Sequence, residues 1–258
     1  MSDATRSRLL EVSDASKRFG AVTALDGVTF TVAHGEVVAL LGDNGAGKST
    51  LVKAVSGVLR LDSGTIVFDG HDITAAGAMA VRSHGIETVY QDLALFDNLA
   101  PAANFFAGRE LAGPAWLPRP LRVLRNGRMS EHTRELLDRL QITLPDFEAP
   151  VALMSGGQRQ AVAVARAVAF SSKLVILDEP TAALGLRESA RVLDLVRRLK
   201  DDGIAVILIS HSMDHVMALA DRAMVLRRGR AIGELVPTPD NLQQLVAWIV
   251  GATDGQRI

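Results

Sequence analysis

The sequence has no cysteine, no surplus of either charge and no long apolar run. The missing thiols exclude disulfides and thiolate metal centres, and they are compatible with a reducing compartment. Lys plus Arg number 28 against 29 Asp plus Glu. That balance gives no footprint of a polyanion-binding surface, so nucleic acid is not an expected partner. No stretch approaches the roughly 18 apolar residues that a membrane span needs, and the longest, such as Ile204–Ile209, are strand-sized. The segment Met1–Arg8 is polar and lacks the apolar centre of a signal peptide. Any role at a membrane is therefore expected to run through a partner. What the sequence does have is apolar material, 48% of 258 residues, enough for one large domain or for one domain carrying an inserted lobe.

The apolar residues fall into short runs. Leu9–Val12 and Val28–Val32 read as strands, and Val37–Leu41 is a wholly apolar run that stops at Gly42. Thr65–Phe68, Ile86–Tyr90, Leu174–Leu177 and Ala205–Ile209 follow the same style. Continuous apolar runs suit strands buried on both faces, as in a parallel sheet. Between them, Lys48–Val58 and Arg187–Lys200 have helical character, the latter with Val192, Leu193, Leu195, Val196 and Leu199 on one face. The alternation predicts an α/β fold with a mostly parallel sheet. Residues 92–170 contain no convincing strand. Pro114, Pro118 and Pro120 mark a loop around Trp116, and Ser130 is placed to cap a helix running through Leu136, Leu137 and Leu140. This part reads as a mainly helical lobe inserted between two sheet strands. Near the end, Asp240–Gln243 has capping-box spacing before a helix with Leu242, Leu245, Val246 and Ile249 on one face.

The run Gly42-Asp43-Asn44-Gly45-Ala46-Gly47-Lys48-Ser49, followed by Thr50, has P-loop spacing between an apolar strand and a helix. Glycines let the backbone curl so that its N–H groups face phosphate oxygens, and the helix beneath offers its positive end. Lys48 supplies a point charge to the β- and γ-phosphates of a nucleotide, and the Ser49 hydroxyl is a ligand for Mg²⁺. The strand Leu174–Leu177 runs into Asp178 and Glu179. Acids at the C-terminal end of a parallel strand lie where ligands bind in such sheets. Asp178 fits the second Mg²⁺ contact and Glu179 a general base for an attacking water.

Met154-Ser155-Gly156-Gly157-Gln158, leading into a helical stretch, is a second phosphate-binding helix start. With it the chain resembles the ATP-binding subunits of ABC transporters, whose signature is Leu-Ser-Gly-Gly-Gln; only the first residue differs. The likeness runs from about Leu10 to Gly251. It implies an ABC-type P-loop fold with a mostly parallel core sheet, an antiparallel β subdomain and a helical lobe. Residues 1–91 and 171–236 would form the core, 92–170 the lobe, and 237–258 a C-terminal helix. It also implies a head-to-tail homodimer that sandwiches two ATP molecules, with Ser155, Gly156, Gly157 and Gln158 serving the partner's nucleotide. By the same resemblance Gln91 senses Mg²⁺ and the γ-phosphate, His211 contacts the γ-phosphate, and Phe19 stacks on adenine; for Phe19, ordinary core packing is the competing reading.

One position departs from the family pattern. Where the family reads Ser-Ala-Leu-Asp after Glu179-Pro180-Thr181, this chain has Ala182-Ala183-Leu184-Gly185, so the aspartate that reaches the partner's P-loop is absent. Val89–Leu95, Gly108-Arg109-Glu110 and Thr181–Gly185 are similar to the ATPases of bacterial ribose, xylose and fructose importers, in single-domain form. That narrower likeness implies a transmembrane permease, a sugar-binding protein outside the membrane, and a place on the cytoplasmic face of the inner membrane. The segment Asp92–Leu99, with four large apolar residues, is either a permease-docking patch or packing for the helical lobe. The alternative class is an ABC ATPase of DNA repair or translation that does not associate with membranes. Only 106 residues, positions 49–154, separate Lys48 from Ser155. They carry no heptads of the kind that DNA-repair relatives insert there.

Overall fold

The computed structural model describes residues 7–114, 116, 123–170, 172–182 and 184–252. Two sheets share the core. The larger has six strands in the order β12 (Arg230–Leu235), β11 (Arg222–Arg227), β3 (Val37–Leu41), β10 (Ala205–Ile209), β9 (Leu174–Asp178) and β6 (Ile86–Val89). All but β12 run parallel. The smaller sheet is antiparallel, ordered β2 (Val22–Ala33), β1 (Arg8–Phe19), β4 (Ser63–Phe68) and β5 (His71–Asp72).

Side-chain alternation explains why the central strands read as unbroken apolar runs. Ile176, Ile207 and Ile209 face one core, shared with the antiparallel sheet and with Leu51, Val52 and Val55 of α1 (Lys48–Val55). Their neighbours Val175, Leu177, Val206 and Leu208 face a second core built against helices α5 (Gly156–Val168) and α6 (Leu186–Asp201). With both faces covered there is no polar side to a strand. Each fully buried aliphatic side chain here contributes about 1.5–3 kcal/mol, so a charge at Ile207 or Leu177 would cost the sheet its centre. A third cluster packs Ala39, Leu41, Ala223 and Val225 under Leu245 and Trp248 of the C-terminal helix.

The fold is the α/β arrangement that the pattern predicts, including a helical lobe between β6 and β9, but several local expectations are corrected. The P-loop helix ends at Val55 and not at Val58, because Gly57 takes a left-handed φ of 70° and packs against Val81, where a β-carbon would lie 2.6 Å from Val81 Cγ2. The lobe holds a two-residue hairpin, β7 (Ala112–Gly113) with β8 (Val123–Leu124). The helix expected from Ser130 begins directly off that hairpin, at Asn126 (α4, Asn126–Arg139). Its buried stripe starts two turns before Leu136 and Leu137, at Met129, and continues through Thr133 and Leu137. At the C-terminus the capping box is Thr238–Asn241, around a turn that begins with Pro239. In the following helix α8 (Leu242–Val250) the buried side chains are Leu245 and Trp248 while Val246 is exposed. Trp248 takes the core position because Gly233 on β12 leaves room for its ring: a β-carbon at Gly233 would lie 2.7 Å from the indole. Of the loop prolines, Pro114 is described, and Pro118 and Pro120 lie outside the described residues.

The remaining elements are α2 (Ala78–His84), α3 (Pro101–Phe106) and α7 (Met213–Leu219). The parallel register is what makes a site. Ile209 pairs with both Leu40 and Asp178, and Val89 with Leu177, so the C-terminal ends of β3, β10, β9 and β6 stand side by side.

Candidate nucleotide site

Each of those four strand ends delivers a motif. The P-loop leaves β3, Gln91 follows β6, Asp178 and Glu179 finish β9, and His211 follows β10. In the P-loop Gly42, Gly45 and Gly47 adopt φ of 146°, 79° and 110°, a region that favours glycine. Gly42 is also confined in space: a β-carbon there would lie 2.3 Å from the Leu226 carbonyl, and one at Gly47 would lie 2.6 Å from that of Ala24. The loop amide of Asn44 donates to Asp43 Oδ1 at 2.7 Å, and that of Ala46 to the Asp43 carbonyl at 3.1 Å. Gly47 is the N-cap of α1 and offers no side-chain cap, which leaves the first-turn N–H groups of Lys48, Ser49 and Thr50 without a side-chain acceptor there. A concave ring of amides over a helix N-terminus fits a polyphosphate.

Lys48 is buried, with its ammonium donating to the carbonyls of Gly42 at 2.6 Å and Asp43 at 3.1 Å. Burial lowers its pKa, and Glu179, Asp178 and Asp43 oppose that shift. Burial raises the pKa of Asp178, Glu179 adds to the rise, and Lys48 and His211 counter it. The cationic and anionic groups that the sequence places far apart are thus electrostatic neighbours. Ser49 lies on the exposed side of the first turn of α1 and Asp178 ends β9; each carries an oxygen of the kind that Mg²⁺ takes as a ligand.

Glu179 sits just past the strand with φ of 51°, in the left-handed region that non-glycine residues rarely occupy. Its N–H donates to the Ile209 carbonyl at 3.0 Å, and this bond holds the turn. The turn points the carboxylate at His211, whose Nε2 lies 2.8 Å from Glu179 Oε1. His215, one helical turn on, has its Nδ1 3.0 Å from Thr181 Oγ1. Phe19 ends β1 with about half its surface exposed and with the Lys17 ammonium 5.8 Å from its ring centroid. It is therefore not a core residue.

Ser155–Gln158 stands on another element. Ser155 caps α5 in a reciprocal box: its Oγ accepts from Gln158 N–H at 3.3 Å, and Gln158 Oε1 accepts from Ser155 N–H at 2.8 Å. The box fixes the helix start and leaves Gly156 and Gly157 amides as the free donors there. A β-carbon at Gly157 would lie 2.8 Å from Glu188 Cβ, and one at Gly156 3.2 Å from Leu184. The start of α6, just after Gly185, is therefore pressed against the signature. Neither Glu188 nor its contact is visible in the sequence, because it depends on how α5 and α6 pack.

The ABC transporter family profile matches residues 25–182. This chain belongs to the ABC transporter family. It is 47% identical to the xylose/arabinose import ATP-binding protein XylG of Sulfolobus acidocaldarius over 93% of this chain and 92% of that one. It is 45% identical to the fructose import ATP-binding protein FrcA of Rhizobium meliloti over 93% of each. In fold it is similar to a nucleotide-free ATP-binding cassette from an ABC transporter, with TM-score 0.81 and 26% identity over 95% of this chain and 98% of that one. The ABC chain is accordingly an ATPase that binds ATP. Among its described residues no helix is long and apolar enough to cross a membrane.

Proposed function

We propose that this ATPase is the energy-coupling subunit of an importer for a simple sugar, working as a head-to-tail pair that closes on two ATP molecules and reopens after hydrolysis. The observation that carries the hydrolytic part is the 2.8 Å contact of Glu179 with His211 at strand ends adjoining the P-loop. The sugar-import part rests on near full-length similarity to relatives named for xylose, arabinose and fructose import.

In this reading the amides of Gly42 through Thr50 and the Lys48 ammonium bind the phosphates, and Phe19 stacks on the base. Ser49, Asp178 and Gln91 would hold Mg²⁺, which when bound neutralises charge on the β- and γ-phosphates. Glu179 orients the attacking water and takes its proton at Oε1 or Oε2. His211 hydrogen-bonds Glu179 and reaches the γ-phosphate, so it positions the base and the substrate together. Ser155, Gly156, Gly157 and Gln158 complete the partner's site across the dimer. Gly185 in place of aspartate removes a side-chain contact to the partner's P-loop, leaving the signature as the main bond between the sites.

The permease side is carried by the segment after Gln91. Leu93 and Leu95 pack into the second core, whereas Phe96 is about half exposed. Phe96 is thus the outward member of the patch and the residue proposed to meet a transmembrane subunit. That subunit would hold this chain on the cytoplasmic face of the membrane and receive sugar from a binding protein on the other side. Co-purification from membranes followed by ATPase assays tests the reading. Capture of a polytopic permease, and ATP turnover stimulated by a pentose or hexose with its binding protein, is the expected result. A chain recovered only from the soluble fraction, with turnover indifferent to sugars, would overturn it.

A further inference from the structure

Two consecutive non-glycine residues, Leu93 and Ala94, have left-handed φ values of 60° and 46°. Such a pair persists only where its surroundings hold it. The holder is Arg166, from the C-terminal half of the signature helix. One guanidinium nitrogen donates to the Leu93 carbonyl at 3.0 Å and the other to that of Ala94 at 2.7 Å. The planar fork of an arginine suits two adjacent carbonyls in a way that a single ammonium does not. Arg166 is largely withdrawn from solvent, and burial lowers its pKa, with Arg82 adding to the fall and Glu87 opposing it. Glu87 is itself bridged by Arg82 at 3.1 Å and Arg109 at 2.8 Å.

The same segment is fastened to α5 again further along. Arg159, two helical turns before Arg166 and so about 10 Å away along the axis, pairs with Asp97 at 2.9 Å. The turn Val151–Leu153 that leads into Ser155 donates to the carbonyls of Leu99 and Asp97 at 3.0 Å each. Asn104, fully buried, bonds the Phe96 amide at 2.8 Å and the Phe96 and Leu99 carbonyls at 3.1 and 3.0 Å. Residues 93–99 therefore run antiparallel along the signature helix and are tied to it at both ends. The bend into Gln91 is at the strained pair that Arg166 holds.

We infer that Arg166 is a positioning residue that links the two nucleotide sites: it makes the turn after Gln91 and the signature helix one body, so that a chain's own nucleotide, felt at Gln91, sets the pose of the Ser155–Gln158 motif it offers to the partner. This rests on the proposed roles of Gln91 and the signature. Coupling here is a shared equilibrium of two sites through one packed element.

The test is hydrogen exchange on the full chain at a concentration where light scattering shows only monomer, with and without MgATP. In the parent, MgATP is expected to change exchange at least twofold in three places: the P-loop, residues 92–95 and residues 155–160. In Arg166→Gln the P-loop response should persist while the response at 155–160 disappears. Arg166→Lys, which keeps the charge but not the fork, should retain part of it and serves as the folded variant if the glutamine protein does not fold. A signature response in both variants equal to the parent's, or no signature response in the parent while its P-loop responds, overturns the linkage. Loss of the parental P-loop response itself would instead overturn the nucleotide-site reading.

Discussion

His211 Nε2 lies 2.8 Å from Glu179 Oε1, so the proposed general base and the histidine that would touch the γ-phosphate form one hydrogen-bonded unit. A base removed from such a unit is lost in the transition state and not in binding. Glu179→Gln is expected to lower kcat by about 10²–10⁴-fold with ATP affinity little changed. His211→Ala should also lower kcat. Because the two groups touch, the double variant should lose much less than the product of the single losses. Steady-state kinetics on the three variants checks this, and multiplicative losses would separate the two roles.

The P-loop glycines differ in what confines them. Gly42 is limited by both φ and the Leu226 carbonyl, whereas around Gly45 nothing lies within 4 Å of a β-carbon. Strain from a disfavoured φ alone costs on the order of 1–3 kcal/mol. Gly42→Ala should therefore destabilise the chain by more than Gly45→Ala does, as read from urea midpoints. Equal losses would show that the Leu226 contact is not confining.

Asp178 has its pKa raised by burial and by Glu179. The folded chain thus disfavours its ionised form, and this cost is fully present above the raised folded pKa and vanishes below the unfolded value near 3.8. Asp178→Asn should raise the melting temperature of the nucleotide-free chain at neutral pH. The gain should shrink as pH falls through the raised pKa, even as the Mg²⁺ dependence of ATP binding weakens. A stabilisation independent of pH would remove burial of the charge as its cause.

Phe96 is outward while Leu93 and Leu95 are inward. Phe96→Asp should leave the isolated chain folded, with parental ATP affinity, and reduce sugar uptake in reconstituted vesicles by tenfold or more. Uptake that survives the substitution would move the docking surface elsewhere.

What could be read from the sequence is what is contiguous in it. The P-loop, the Asp178–Glu179 strand end and the Ser155–Gln158 helix start are local words whose chemistry follows from residue type and spacing. The continuous apolar runs likewise predict the parallel sheet. What was hidden depends on register and packing. The contact of Glu179 with His211 requires Ile209 to pair with Asp178, and the left-handed turn at Glu179 requires its N–H to find the Ile209 carbonyl. The start of α4 moved because the chain enters it from a hairpin held by the Arg125 amide on the Leu111 carbonyl, a long-range bond no helix pattern records. Strands β11 and β12 carry no plain signal in the sequence, since Arg222–Leu235 mixes charge into its apolar alternation. Arg166 reads as one more exposed helix charge until the loop it grips is in place.

In the proposed dimer each catalytic site is built from one chain's P-loop and the other chain's signature. This sharing is tested most directly by mixing two inactive variants. Lys48→Ala removes the ammonium proposed to bind phosphate and leaves the signature, while Ser155→Arg blocks the signature and leaves the P-loop. Random pairing makes about half of the dimers mixed, each with one of two composite sites intact, which sets a ceiling of about one quarter of the parental rate for a two-fold dimer. The prediction is that each variant alone is inactive and that the mixture recovers MgATP hydrolysis up to that ceiling. A mixture as inactive as its components, or full activity in either one alone, would contradict a site shared between two chains.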